Sequence, residues 1–165
     1  MSKCFLSHSS LDKPCVEKIV NIIGKSKCVY DKYTFEAGMP TMDEILAGLD
    51  ESDVFVYLIS DSALNSDWVK EEFNEAIKRL RTDAAKINQI YPIIIDSTIN
   101  HKDHRIPKIL KDEYNLRVIT SPNIIARKIN AQLFKNNIYE NSNFVKEKYF
   151  YGRTLDISKF TDRYY

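Results

Sequence analysis

The spacing of apolar residues along this chain switches between two periods, and each switch marks an element. A short apolar run at Cys4–Ser7 predicts a strand; Val16, Ile19, Val20 and Ile23 then recur at helical spacing and stop at Gly24. A second strand is predicted at residues 27–30, followed by a loop over 31–40 that contains Gly38 and Pro40. Thr41-Met42-Asp43-Glu44 has capping-box spacing and opens a helix carrying Ile45, Leu46 and Leu49. Residues 53–60 form an almost continuous apolar run, the signature of a strand covered on both faces. Residues 89–96 repeat that pattern, with Pro92 pointing to a bulge or a place toward an edge. A weaker fifth strand is expected at 116–120 and a last helix at 122–139.

Strands alternating with helices predict right-handed crossovers and a parallel sheet covered on both sides. With five strands in the order 2-1-3-4-5, a ligand crevice lies beyond the carboxyl ends of the first and third strands, where the winding reverses. Two segments meet there, Ser7-His8-Ser9-Ser10 and Ser60-Asp61.

The helix after the third strand, Asp67–Leu80, breaks its own pattern. Trp68, Val69, Phe73, Ala76, Ile77 and Leu80 lie on one side, and Lys70, Glu71, Asn74 and Lys78 on the other. Glu72 falls on the apolar side, one turn after Trp68 and one before Ala76. It is either a boundary residue bending outward or a carboxylate kept at the crevice for chemistry.

Composition narrows the function classes. At 165 residues, 44% hydrophobic and 28% charged, the chain predicts one soluble domain with a real core. Lysine plus arginine at 24 against aspartate plus glutamate at 23 announces no nucleic-acid partner. No apolar run approaches the roughly 20 residues of a membrane span, and the N-terminus has no signal-peptide core, so a cytoplasmic protein is expected. Cys4, Cys15 and Cys28 are widely spaced in apolar contexts and read as structural. His101-Lys102-Asp103-His104 has a metal-like look but reads as a solvated loop, so no metal is expected. Gly38 has neither P-loop nor GxGxxG context.

Three separated segments carry a family likeness: "FLSHSSLDK" from Phe5, "VYDKYTFEAGMPTMDEI" from Val29 and "DVFVYLISDSALNSDWVKEEF" from Asp53. In order and spacing they resemble the main signatures of TIR domains over roughly the first 140 residues, and are more similar to the enzymatic, NAD-cleaving bacterial members than to receptor adaptors. That resemblance implies a flavodoxin-like three-layer sandwich and cleavage of NAD+ at the nicotinamide–ribose bond. NAD+ is then a substrate and no cofactor is needed. The branch's catalytic glutamate follows a tryptophan by four residues, the relation of Glu72 to Trp68.

The resemblance further implies that residues 31–40 are the BB loop, which gates the nucleotide site and meets a neighbouring TIR domain. Asp31, Phe35, Glu36 and Gly38 would face substrate, joined by Trp68, Ser7, His8, Ser9 and Ser60 at the crevice. Tyr33, Thr34, Phe35, Ala37, Gly38 and Met39 would serve self-association. Residues 141–165, with Tyr151-Gly152-Arg153, Leu155, Ile157 and Phe160, resemble a linker and the opening of the NTPase module of NLR-like (STAND) antiphage proteins. A helix extension or a disordered tail is the alternative there. For the whole domain the expected function is an NAD+ glycohydrolase in antiviral defence, giving ADP-ribose or a cyclic product. The alternatives are a non-enzymatic TIR–TIR interaction module and a nucleoside deoxyribosyltransferase-like enzyme.

Overall fold

Among the described residues, four parallel strands form the sheet: β1 (Cys4–Ser7), β2 (Cys28–Val29), β3 (Val54–Ile59) and β4 (Gln89–Ile94), in the order β2-β1-β3-β4. The computed structural model describes residues 1–30 and 42–140, and the expectations for 31–41 and 141–165 lie outside the described residues. The helices are α1 (Lys13–Ile23), α2 (Met42–Asp50), α3 (Asp61–Leu64), α4 (Asp67–Leu80), α5 (Lys108–Glu113) and α6 (Pro122–Glu140).

All six residues of β3 are buried, and alternate side chains serve opposite faces. Phe55, Tyr57 and Ile59 join Phe5 in packing against α2 and α4 through Ile45, Leu49, Val69, Phe73, Ala76 and Leu80. Val54, Val56 and Leu58 join Cys4 and Leu6 on the other face, against Val16, Ile19, Val20 and Ile23 of α1 and Ile125, Ala126, Ile129 and Leu133 of α6. The result is helix, sheet, helix in three layers. β1 therefore leads into a helix on one face and β3 into α4 on the other, so the winding reverses between these two adjacent strands.

Two glycines shape this frame. Gly24 ends α1 with φ of 109°, a backbone conformation that costs glycine little and other residues much. Gly48 lets α2 approach the sheet: a Cβ there would sit 3.1 Å from both Phe5 and Val29 side chains.

The expected fifth strand is reduced to one parallel bridge, Ile94↔Val118, made by Ile94 N–H to the Arg117 carbonyl (3.0 Å) and Ile119 N–H to the Ile94 carbonyl (2.8 Å). The reason lies in β4. Ile94 turns its backbone groups to the outer edge, so alternation turns Pro92 the same way, and proline has no N–H to extend that ladder. Pro92 nonetheless sits in regular register opposite Tyr57, without a bulge.

At the amino ends of the strands a polar network closes the base of the sheet. Ser2 Oγ–H donates to Asn136 Oδ1 (2.7 Å), the Ser2 N–H donates to Asn137 Oδ1 (2.6 Å), and Asn136 Nδ2 donates to Asn88. Buried Asp53 accepts from the Lys3 N–H at 2.9 Å and pairs with Lys86 at 3.7 Å. Cys4 and Cys28 are register partners with sulfurs 4.0 Å apart, both free thiols, as is Cys15.

Candidate functional site

The carboxyl ends of β1 and β3 hold a set of short, tightly capped turns. After β1 the chain makes a 3₁₀ turn at Ser10–Asp12, capped by Ser9 Oγ accepting from the Leu11 N–H (3.2 Å). After β3, Ser60 Oγ caps α3 by accepting from the Ala63 N–H (3.1 Å) and donates its own proton to the Asp12 carboxylate. Ser62 also reaches Asp12, at 3.4 Å. Ser66 caps α4 through the Val69 N–H (3.3 Å). The loops that leave β1 and β3 are thus fastened to each other.

Between them lies a cleft of about 430 Å³. The loop after β1 contributes His8, Ser9, Ser10 and Leu11; α3 and its exit contribute Asp61, Ser62 and Asn65; α4 contributes Ser66, Trp68, Val69 and Glu72. Leu11 is 78% exposed at this lining, whereas His8 and Ser9 are buried. The His8 Nδ1–H donates to the Leu6 carbonyl (2.8 Å), so in the neutral ring Nε2 is the unprotonated nitrogen.

Glu72 is 5% exposed, and its Oε1 accepts a 2.7 Å hydrogen bond from the hydroxyl of Ser7. Trp68, one turn earlier, is half-buried against the α4-side core and still lines the cleft. Tyr57 lies within the field of the carboxylate. Its phenol is pushed up to about 12, first by burial and then by the negative charge of Glu72.

The rim is anchored by Arg105, whose guanidinium donates to Asp61 (2.9 Å), to Asn65 (3.1 Å) and twice to Asp103. Those hydrogen bonds hold the Asp103 carboxyl down at about 2. Asp96 is lowered by the Thr98 hydroxyl and by the N–H groups of Asp61 and Thr98. The acidic members of the metal-like loop therefore have protein partners, and the His104 side chain is 93% exposed.

Of the residues singled out in the sequence, Glu72, Trp68, His8 and Ser9 come together on the cleft wall. Ser7 and Ser60 stand behind it: Ser7 holds Glu72, and Ser60 joins α3 to Asp12. Asp31, Tyr33, Thr34, Phe35, Glu36, Ala37, Gly38 and Met39 lie outside the described residues. Ser10 and Asp61, which the sequence places at the crevice, line the wall as well; the structure adds Leu11, Ser62, Asn65 and Ser66 to it and Asp12 behind it. The polar run between β3 and α4 was the signal for three of these.

Three layers around a parallel sheet, with a cleft where the winding reverses, define a doubly wound α/β domain. Within that class the chain belongs to the TIR domain family, whose profile, described as TIR domain, matches residues 4–135. No curated protein matches it significantly. Among the described residues no helix is long and apolar enough to cross a membrane.

Proposed function

We propose that this TIR domain cleaves NAD+ at the nicotinamide–ribose bond, with Glu72 as the catalytic carboxylate. The observation that carries the reading is the position of that side chain: on the apolar face of α4, nearly excluded from solvent, hydrogen-bonded by Ser7 and lining the switch-point cleft beside Trp68. The family includes NAD-cleaving enzymes, and its members commonly self-associate.

The chemistry asks little of the protein beyond placement. When the bond between ribose C1′ and the pyridinium nitrogen breaks, its electron pair neutralises the nicotinamide and positive charge develops on the sugar. A carboxylate in a partly desolvated site stabilises that charge and accepts hydrogen bonds from ribose hydroxyls. Water then attacks C1′ and releases a proton, giving ADP-ribose; attack from within the same molecule gives a cyclic product instead. Trp68 supplies an apolar wall that keeps bulk water from the reacting carbon.

Nicotinamide release by purified domain, at high concentration or clustered on a crowding surface, tests the reading. Glu72→Ala and the near-isosteric Glu72→Gln should each lower turnover by at least about 10²-fold, the scale of losing one preorganised electrostatic contact. A clustered wild type that releases none refutes the enzyme.

The second reading is an interaction module of this family. It is favoured by apolar residues exposed along α6, where Ile124, Phe134 and Ile138 are 39%, 66% and 55% exposed. Unchanged signalling by Glu72→Gln would select it.

A further inference from the structure

Ser7 and Glu72 are both out of pattern, and on the same interface. Phe5 belongs to the core layer between the sheet and α4, and Ser7, two residues on, shares its face. Its register partner on β3 is Tyr57, another member of that apolar layer. Glu72 occupies an inward position of α4 among Val69, Phe73 and Ala76. Two polar side chains 65 residues apart in sequence thus interrupt one apolar layer at one point, and meet at 2.7 Å.

Packing alone gives no reason for this. Burying a hydroxyl and a carboxylate is costly unless they are paired, and two apolar residues would fill the same space without that cost. A serine hydroxyl has one proton to donate, and here the carboxylate accepts it; Ser7 itself does not line the cleft, so its hydroxyl has no direct path to a substrate there. It also sits at 0% exposure behind the cleft wall, on a strand whose every residue is buried. A rigid strand therefore grips one oxygen of a side chain that otherwise turns about several bonds.

We propose that Ser7 is a positioning residue, whose hydrogen bond fixes Oε1 of Glu72, directs the rest of the carboxylate to the cleft and favours its ionised form. This inference rests on the catalytic reading of Glu72. A fixed carboxylate meets the ribose carbon without reorganising, and small misplacements at such a centre are expensive in rate. Among the described residues, the other titratable groups at the cleft are His8 after β1 and Asp61 on α3, with Tyr57 of β3 beneath. Substituting Ser7 leaves all three in place.

Ser7→Ala, Ser7→Cys and Ser7→Thr test it. In Ser7→Ala, kcat for nicotinamide release should fall about tenfold, with KM within about twofold and the acid limb of the pH–rate profile displaced upward. Ser7→Thr, which keeps the hydroxyl, should recover most of the rate. Ser7→Cys, a weaker donor in similar space, should fall between. A merely structural role would lower the melting temperature and leave the acid limb where it was.

A second readout is independent of turnover. The ¹³C carboxyl resonance of Glu72, assigned by its loss in Glu72→Gln, should titrate at higher pH in Ser7→Ala than in wild type. Equal midpoints overturn the proposal. Silent wild-type enzyme with displaced midpoints would instead refute the catalytic reading while leaving the Ser7–Glu72 linkage standing.

Discussion

Replacing the pair at both ends, as Ser7→Ala with Glu72→Met, should yield a more stable protein with no activity. The energies follow from the burial of the two groups, at 0% and 5% exposure. Ser7→Ala alone removes a hydrogen bond to a charged acceptor and should cost about 2 kcal/mol. Glu72→Met alone places an unbranched apolar side chain in the stripe, gaining about 1.5–3 kcal/mol of burial. It also leaves the Ser7 hydroxyl buried without its carboxylate, which costs about 1–2 kcal/mol and cancels most of the gain. The double variant has neither defect. It should exceed wild type by about 1–2 kcal/mol, with a coupling energy of about 3 kcal/mol between the sites. For a domain of this size that raises the melting temperature by about 3–6 °C. Urea unfolding of all four proteins in parallel, with m-values compared, measures the cycle. A double variant less stable than wild type by more than about 1 kcal/mol would refute the reasoning, because the pair would then be a net structural asset needing no functional explanation.

Alkaline pH should destabilise the fold through buried tyrosines. Tyr57, Tyr91 and Tyr114 are all raised above the ordinary 10, chiefly by burial, so their contribution is present below pH 10 and is lost as pH rises beyond it, towards about 12 for Tyr57. Urea midpoints should fall across that window, and Tyr57→Phe should flatten the fall; an unchanged slope would contradict the assignment. Gly48→Val should destabilise by about 2–3 kcal/mol in thermal melts, because even the Cβ would lie 3.1 Å from Phe5 and Val29 and the branch adds more. A melting temperature at or above wild type would mean that α2 can lift from the sheet at little cost.

The elements with a strong period were legible in sequence. β1 and α4 fall where the apolar spacing placed them, since buried strands and amphipathic helices write their contacts into consecutive residues. α3 and α5 left no such trace, because a helix of four or six residues is too short to repeat a period. At 116–120 the spacing was read without its neighbour: the outer edge of β4 carries Pro92, and pairing depends on both strands. Glu72 stood out because it violated a stripe. Ser7 was visible as a polar residue ending an apolar run, but its partner was not, since no local pattern links residues 65 apart. The Ser60–Asp12 link joins loops from different strands and was hidden for the same reason.

The network of Ser2, Asn88 and Asn136 gives the domain a working end and a wiring end. The cleft opens at the carboxyl ends of β1 and β3, while α6, 19 residues or about 28 Å long, carries the chain down to the opposite base before Glu140. A load coupled through that base pulls on serine and asparagines rather than on the turns around the cleft. Copies gathered by their bases would therefore hold their clefts outward, open to solvent and to neighbouring domains.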